Sequence, residues 1–302
     1  MLNFLTSLIL ASLLIPAGFN FLTDKAVDYS YRQPNVGQAG SPQRLVNESF
    51  GLKTTAKSIL IVDDNSGSVL YNKNSLAITP IASITKLMTA LVILDTKPDW
   101  EQVVKISPGD KREGGMIYLM SGEEATVKDL FYLMLIGSAN EAAVALARNS
   151  GITEFNAAMN KKAKELGMTN SYFLEPSGID PLNVSSPADL LKLAQAAFAK
   201  PEITQALTTE IYKFQVINNQ RQVKVFSTDR LLDSFLNGPN YQVLGAKTGY
   251  LDEAGYCLLL RVQKISGPSL TLVLLGSETI DDRWQEAKGL VEWVFRNYSW
   301  PE

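Results

Sequence analysis

The sequence predicts an α+β fold, with an antiparallel sheet of N- and C-terminal strands packed with a helical subdomain. Three observations carry that expectation. Apolar runs flank a turn signal early in the folded region, helical periodicity fills the middle of the chain, and paired apolar runs return in the last third. Hairpins before and after a helical block are most simply joined in one sheet. With 302 residues, 46% of them hydrophobic and 20% charged, the chain can bury a sizeable core in one large domain or two small ones.

Residues 1–22, MLNFLTSLILASLLIPAGFNFL, are apolar enough for an export signal or an uncleaved membrane anchor, although no basic stretch precedes the run. A buried N-terminal helix is the alternative, opposed by Pro16, Gly18 and the polar segment that follows. Residues 23–56 hold no sustained period and are rich in Pro, Gly, Gln, Asn and Ser, the composition of a linker. The folded domain is expected over residues 57–302. It opens with a hairpin, SILIVDD and SVLYNK around NSGS. A helix follows in ASITKLMTALVIL, where Ile84, Leu87, Met88, Leu91 and Val92 recur at helical spacing between Pro80 and the Lys97-Pro98 step. VKDLFYLMLIG, NEAAVALARN, TEFNAAMNKKAKELG and SPADLLKLAQAAFAK fit the same period, punctuated by Gly137, Gly151, Gly167 and Pro201. Strands are then expected in IYKFQVI and QVKVFS around NNQR, in YQVLGAKTG, and in YCLLLRVQ and LTLVLLGS around KISGPS. DDRWQEAKGLVEWVFRNY reads as a closing helix.

Composition narrows the chemistry. The 28 basic and 31 acidic residues give a net charge of −3 with no basic block to track a phosphate backbone, so nucleic acid is not an expected partner. There is no histidine, which removes Ser-His-Asp and Cys-His catalysis together with the commonest metal ligand. Neither a metal nor a cofactor is expected. The single cysteine, Cys257, cannot form an internal disulfide, and in GYCLLLRV it reads as a small core residue.

Any nucleophile must therefore find another base. Ser83 and Lys86 stand at i and i+3, so on a helix both project from one face, with the serine in the first turn where backbone N–H groups favour developing negative charge. To accept a proton at pH 7 the lysine must be neutral. That requires a depression of roughly three pKa units, about 4 kcal/mol, from burial and a neighbouring cation. The competing reading is a helix-start serine with a snorkelling lysine. In LIGSANEAA, Ser138 and Asn140 occupy a polar turn between two apolar helices, where they either point together into a cleft or cap the second helix. In LGAKTGY, Lys247, Thr248 and Gly249 fall in a strand, where a cation, a hydroxyl and a residue without a side chain could line an edge that receives an extended peptide. Each pattern occurs once, in this order, and their joint occurrence carries more than any of them alone.

The ordered set resembles that of the penicillin-binding proteins and serine β-lactamases. Within them, PIASITKLMTA, SYFLEPSGIDPLNVSSPADLLKL and DRWQEAKGLVEWVF are similar to the low-molecular-mass D-alanyl-D-alanine carboxypeptidases and their DD-endopeptidase relatives, over roughly residues 57–298. The resemblance implies that Ser83 is acylated, that Lys86 accepts its proton, and that Ser138 and Asn140 relay the proton and hold the substrate amide. It implies that Lys247 depresses Lys86 and, with Thr248, grips the substrate's terminal carboxylate. The oxyanion would sit between the backbone N–H groups of Ser83 and Tyr250, beside Gly249, and Arg283 aligns with an arginine used near the carboxylate, its alternative being a solvent-facing helix start. The implied partners are peptidoglycan stem peptides ending in D-Ala-D-Ala and β-lactam antibiotics. The implied place is the periplasm or cell envelope of a bacterium, with the protein secreted or attached to the membrane through its N-terminus.

Two departures stand out. The second motif reads SAN where SGN is commoner, an added methyl that should leave hydroxyl and amide in place. The chain also ends directly after its last helix, as in the endopeptidase branch, where many carboxypeptidases continue into a β-rich domain and an amphipathic anchor. Trimming of free peptide ends and cleavage of cross-links both remain open. A class A β-lactamase is disfavoured because Ile179 stands where the glutamate of E-x-x-L-N would precede Leu182-Asn183, and Glu175 lies too far back. An inert cell-wall-binding module is the non-enzymatic alternative.

Overall fold

The structure is a computed structural model that describes residues 40–46, 49 and 51–301. The expected signal or anchor at residues 1–22 and most of the expected linker lie outside the described residues. The main elements are strands β1 (Ser58–Asp63) and β2 (Val69–Lys73), then helices α1 (Thr85–Asp95), α2 (Val127–Ile136), α3 (Asn140–Asn149), α4 (Phe155–Glu165), α5 (Pro187–Phe198) and α6 (Pro201–Leu207). The chain continues through a hairpin of β3 (Ile211–Gln215) and β4 (Gln222–Phe226) to β5 (Tyr241–Leu251), β6 (Gly255–Lys264) and β7 (Ser269–Ser277), and closes with α7 (Ile280–Asn297).

N- and C-terminal strands do join one antiparallel sheet, in the order β5-β6-β7-β1-β2. The seam is β7 on β1, from Leu270 opposite Asp63 to Leu275 opposite Ser58. Both strands are buried at every position. Alternate residues serve two cores. Leu60, Val62, Val273 and Leu275 pack with the helical block, whereas Ile59, Ile61, Leu272 and Leu274 pack with Trp284, Leu290, Val291 and Val294 of α7. A sheet covered on both faces needs no polar side, which is why these runs read as continuously apolar instead of alternating. Burying one such Leu or Ile contributes about 1.5–3 kcal/mol. Helix α1 is buried from Thr85 to Ile93, the pattern of a helix that is apolar nearly all round.

Three expectations are corrected. Ser83 does not lie within α1 but in the short 3-10 turn Ala82–Ile84 just before it. Pro201 does not merely end a helix. It opens α6, where its missing N–H would have had no partner in any case. The described part of the expected linker is docked on the domain: Gln43–Arg44 pairs with Tyr298–Ser299, and the N–H groups of Thr55 and Ala56 donate to Glu286 on α7. Polar composition concealed this because the anchoring groups are backbone donors, which every residue except proline carries.

Strand β5 lies at the edge of the sheet and runs beside the Ala82–Ile84 turn. Gly249 makes that approach possible, since a Cβ there would stand 2.8 Å from Ile81 O and 3.2 Å from Ser83 N. The nucleophile candidate and the Lys-Thr-Gly strand are thereby held side by side.

Candidate active site

Lys86 is fully buried, so it does not snorkel. Its Nζ lies 2.7 Å from Ser83 Oγ, 2.8 Å from Asn140 Oδ1 and 2.5 Å from the Ser177 carbonyl. A neutral amine has two N–H donors and one lone pair. The amide oxygen and the carbonyl can take both donors, leaving the lone pair for the Ser83 hydroxyl. The amide orientation is fixed by its other end, where Asn140 Nδ2 donates to Gly114 O at 2.9 Å. Burial pulls the Lys86 pKa down to about 7, against the opposing charges of Glu175 and Glu141. Burial is the first cause of that shift. The expected help from Lys247 is instead visible on Lys247 itself, whose pKa falls well below the ordinary value through burial and repulsion from Lys86 and Arg283.

The capping alternatives fail on geometry. Neither the Ala82–Ile84 turn nor α1 has a side-chain cap, and Ala139, which caps α3, contributes none either. The Ser138 hydroxyl does not cap α3 but accepts from Lys247 Nζ at 2.8 Å. Both Ala82 (φ 47°) and Ser138 (φ 58°) hold left-handed backbone conformations that cost non-glycine residues on the order of 1–3 kcal/mol, a strain that gathers at functional sites. The extra methyl of Ala139 is buried and displaces neither the hydroxyl nor the amide.

Lys247 is likewise fully buried, with a second hydrogen bond to Thr248 O at 3.0 Å, and Thr248 Oγ1 meets Thr228 Oγ1 at 2.9 Å. Arg283, 5% exposed, is no solvent-facing helix start. It donates from one terminal nitrogen to Gly249 O at 3.3 Å and packs over Trp284, with its guanidinium 4.2 Å from the ring centre. Burial lowers its pKa to about 10, and its Nε has no hydrogen-bond partner among the described residues. Tyr250 is half exposed and stacks on Tyr256, with ring centroids 4.3 Å apart.

Ser83, Ser138, Asn140, Thr248, Gly249, Tyr250 and Arg283 all line a single cleft of about 500 Å³. Lys86 and Lys247 reach it from behind, through their bonds to Ser83 and Ser138. A wider concavity of about 780 Å³ between Phe235 and Arg296 is lined by no serine, threonine or cysteine. The structure also adds groups that sequence reasoning missed. Ser177 contributes a backbone carbonyl, for which no sequence signal exists. Asp229, buried behind the cleft, carries a carboxyl that burial raises to about 6, with Arg283 and Lys247 opposing that rise. Its signal was a lone acid in STDRLL, too common a feature to single out.

Comparison with known proteins identifies the family and the fold. The sequence profile of the D-alanyl-D-alanine carboxypeptidase family, peptidase S11, matches residues 44–279. The chain is 34% identical over 241 residues to a D-alanyl-D-alanine endopeptidase of Pseudomonas aeruginosa, covering 78% of this chain and 76% of that protein. It is also 34% identical over 252 residues to the D-alanyl-D-alanine carboxypeptidase DacF of Bacillus subtilis, covering 80% of this chain and 63% of that one. Among solved structures, a Streptomyces DD-transpeptidase superposes with a TM-score of 0.75 at 25% identity, over 82% of this chain and 100% of its own. A penicillin-binding protein of Listeria monocytogenes in its cefotaxime-bound form gives 0.72 at 28% identity, with coverage of 82% and 100%.

Proposed function

The chain belongs to the D-alanyl-D-alanine carboxypeptidase family, and on that footing we propose that it is a serine DD-peptidase that cleaves the D-Ala-D-Ala bond of peptidoglycan stem peptides through an acyl-enzyme on Ser83. One observation carries the proposal above the others: Ser83 Oγ stands 2.7 Å from a fully buried amine whose pKa lies near 7. In acylation the Ser83 oxygen attacks the carbonyl of the penultimate D-alanine, and Lys86 takes the hydroxyl proton. Breaking the peptide bond expels the terminal D-alanine, whose amine receives that proton by way of Ser138. Water then repeats the sequence in reverse and frees the shortened peptide.

Asn140 holds the substrate amide and orients Lys86. The oxyanion is assigned to the Ser83 and Tyr250 N–H groups, a placement supported by the close approach of Gly249 to Ser83 N. The terminal carboxylate is assigned to Lys247, Thr248 and Arg283. An arriving carboxylate favours the charged form of Lys247, and the resulting ammonium favours a neutral Lys86. β-Lactams acylate the same serine. Ile179 lines the cleft at the position of a β-lactamase deacylation glutamate, so the acyl-enzyme formed from penicillin should be long-lived.

The purified protein is therefore expected to retain a fluorescent penicillin through a denaturing gel, and Ser83→Ala to retain none. Rapid loss of the label by hydrolysis would favour a β-lactamase, and no label on the wild type an inert wall-binding module. Cross-link cleavage is the second reading, supported by the fuller match to the Pseudomonas endopeptidase, 76% of its length against 63% of DacF at the same 34% identity. Mass spectrometry of digested muropeptides separates the two: trimming removes D-alanine from pentapeptide monomers, whereas cleavage converts dimers to monomers. Action on either form of assembled peptidoglycan requires a place outside the cytoplasm, which is part of the proposal. No helix among the described residues is long and apolar enough to cross a membrane; N-terminal attachment through residues 1–22 is part of the proposal.

A further inference from the structure

Glu175 takes no part in the steps above, yet its carboxylate knits together the loop over residues 174–183. Oε1 accepts from the Gly178 N–H, from the Ile179 N–H at 2.9 Å and from Asn183 Nδ2 at 2.8 Å. Oε2 accepts from the N–H and hydroxyl of Ser177 at 2.7 and 2.6 Å. Asn183, fully buried, accepts in turn from the N–H groups of Leu174 and Glu175. The loop so formed touches the nucleophile region at three points. The Ser177 carbonyl accepts from Lys86 at 2.5 Å, the Pro176 carbonyl accepts from Thr89 Oγ1 at 2.7 Å, and Gly178 abuts Ala82 so closely that a Cβ would stand 2.2 Å from Ala82 O.

We propose that Glu175 is a positioning residue for Lys86, fixing the loop that presents the Ser177 carbonyl to the amine while its negative charge acts on that amine. The inference rests on the assignment of Lys86 as the base. Two charged groups act on Lys86 from the elements around it, Glu175 from the loop and Glu141 from α3, and Lys247 on β5 faces it with its own pKa lowered by burial and by Lys86. The two carboxylates favour the ammonium and counter part of the burial effect. With both oxygens occupied inside its own loop, Glu175 is not free to activate a deacylating water. Its work is done through the lysine.

The test is the pH profile of β-lactam acylation in wild type, Glu175→Gln and Glu175→Asp. Glu175→Gln keeps the shape, loses the charge and sets an NH₂ against the Ser177 donors. Its plateau rate is expected to fall by about tenfold or more, with the acid limb moving about half a pH unit or more downward because the ammonium has lost an attraction. Glu175→Asp keeps the charge but is one methylene short of the loop, so its limb should stay in place while its plateau falls. A Glu175→Gln plateau and limb equal to wild type would overturn the inference, as would a limb that moves up or stays still. Should Glu175→Gln fail to fold by circular dichroism, Glu175→Asp decides alone: a lowered plateau supports the role, and a wild-type plateau overturns it. Absence of acylation in the wild type would count against the peptidase assignment instead.

Discussion

Lys86→Ala is expected to lose β-lactam acylation by at least about 10³-fold, the upper range for removal of a general base. Without the amine, the Ser83 hydroxyl has no acceptor at 2.7 Å to take its proton. The change leaves the Asn140 Oδ1 and Ser177 O acceptors unpaired in a buried place, which costs about 1–3 kcal/mol. Relief from burying an amine offsets part of that cost. The variant should therefore remain folded, with a Tm within a few degrees of wild type, while penicillin no longer labels it. Lys86→Arg should be equally inactive, because a guanidinium stays protonated and cannot act as a base. Labelling that survives in a folded Lys86→Ala variant would defeat the assignment of the base.

Gly178→Ala carries the second large effect, and it acts on the scaffold. Gly178 has φ +78°, and its missing Cβ would fall 2.2 Å from Ala82 O and 2.9 Å from Thr85 Cβ. The nearer obstacle belongs to the turn that carries Ser83 and the other to Thr85, the first residue of α1; the nearer one is backbone, which cannot rotate aside. Left-handed strain and overpacking each cost about 1–3 kcal/mol. Their sum corresponds to a fall in Tm of roughly 10 °C in a domain of this size. Acylation should fall with it, because the loop can avoid the clash only by carrying the Ser177 carbonyl away from Lys86. Thermal unfolding and penicillin labelling read the two consequences separately. A wild-type Tm with a wild-type labelling rate would contradict the described contact between loop and turn.

The parts of the fold legible in the sequence were those set by one-dimensional period. The hairpin of β1 and β2, the apolar helix α1 and the strand pair β6 and β7 each announce themselves through apolar spacing, and the pairing of β7 with β1 follows from them. Ser83, Lys86, Ser138, Asn140 and Lys247 were legible because each belongs to a short, ordered motif of side chains. What lay beyond sequence is contact made by backbone or across long separations. The Ser177 carbonyl on Lys86, the left-handed Ala82 and the Thr55 and Ala56 donors on Glu286 depend on main-chain geometry that no residue type specifies. The 3-10 turn that holds Ser83 apart from α1 belongs to the same class, since helix periodicity does not distinguish the first turn of a helix from a tighter turn leading into it.

The cause of the Lys86 shift was legible only in part. Apolar neighbours pointed to burial, but no motif signalled that Glu175 and Glu141 would push the other way. The amine therefore balances near neutrality, with burial lowering its pKa and two carboxylates limiting the fall. A base poised near the working pH combines a usable neutral fraction with basicity enough to take the serine proton.

That balance is read most directly from the rate of Ser83 acylation by a β-lactam across pH 5 to 10. Only the neutral amine can accept the proton, so the rate should rise with pH and reach half its plateau near pH 7, the value to which burial brings Lys86. A rate that climbs only near pH 10, as for an ordinary lysine, or one that stays flat across the range, would contradict the account.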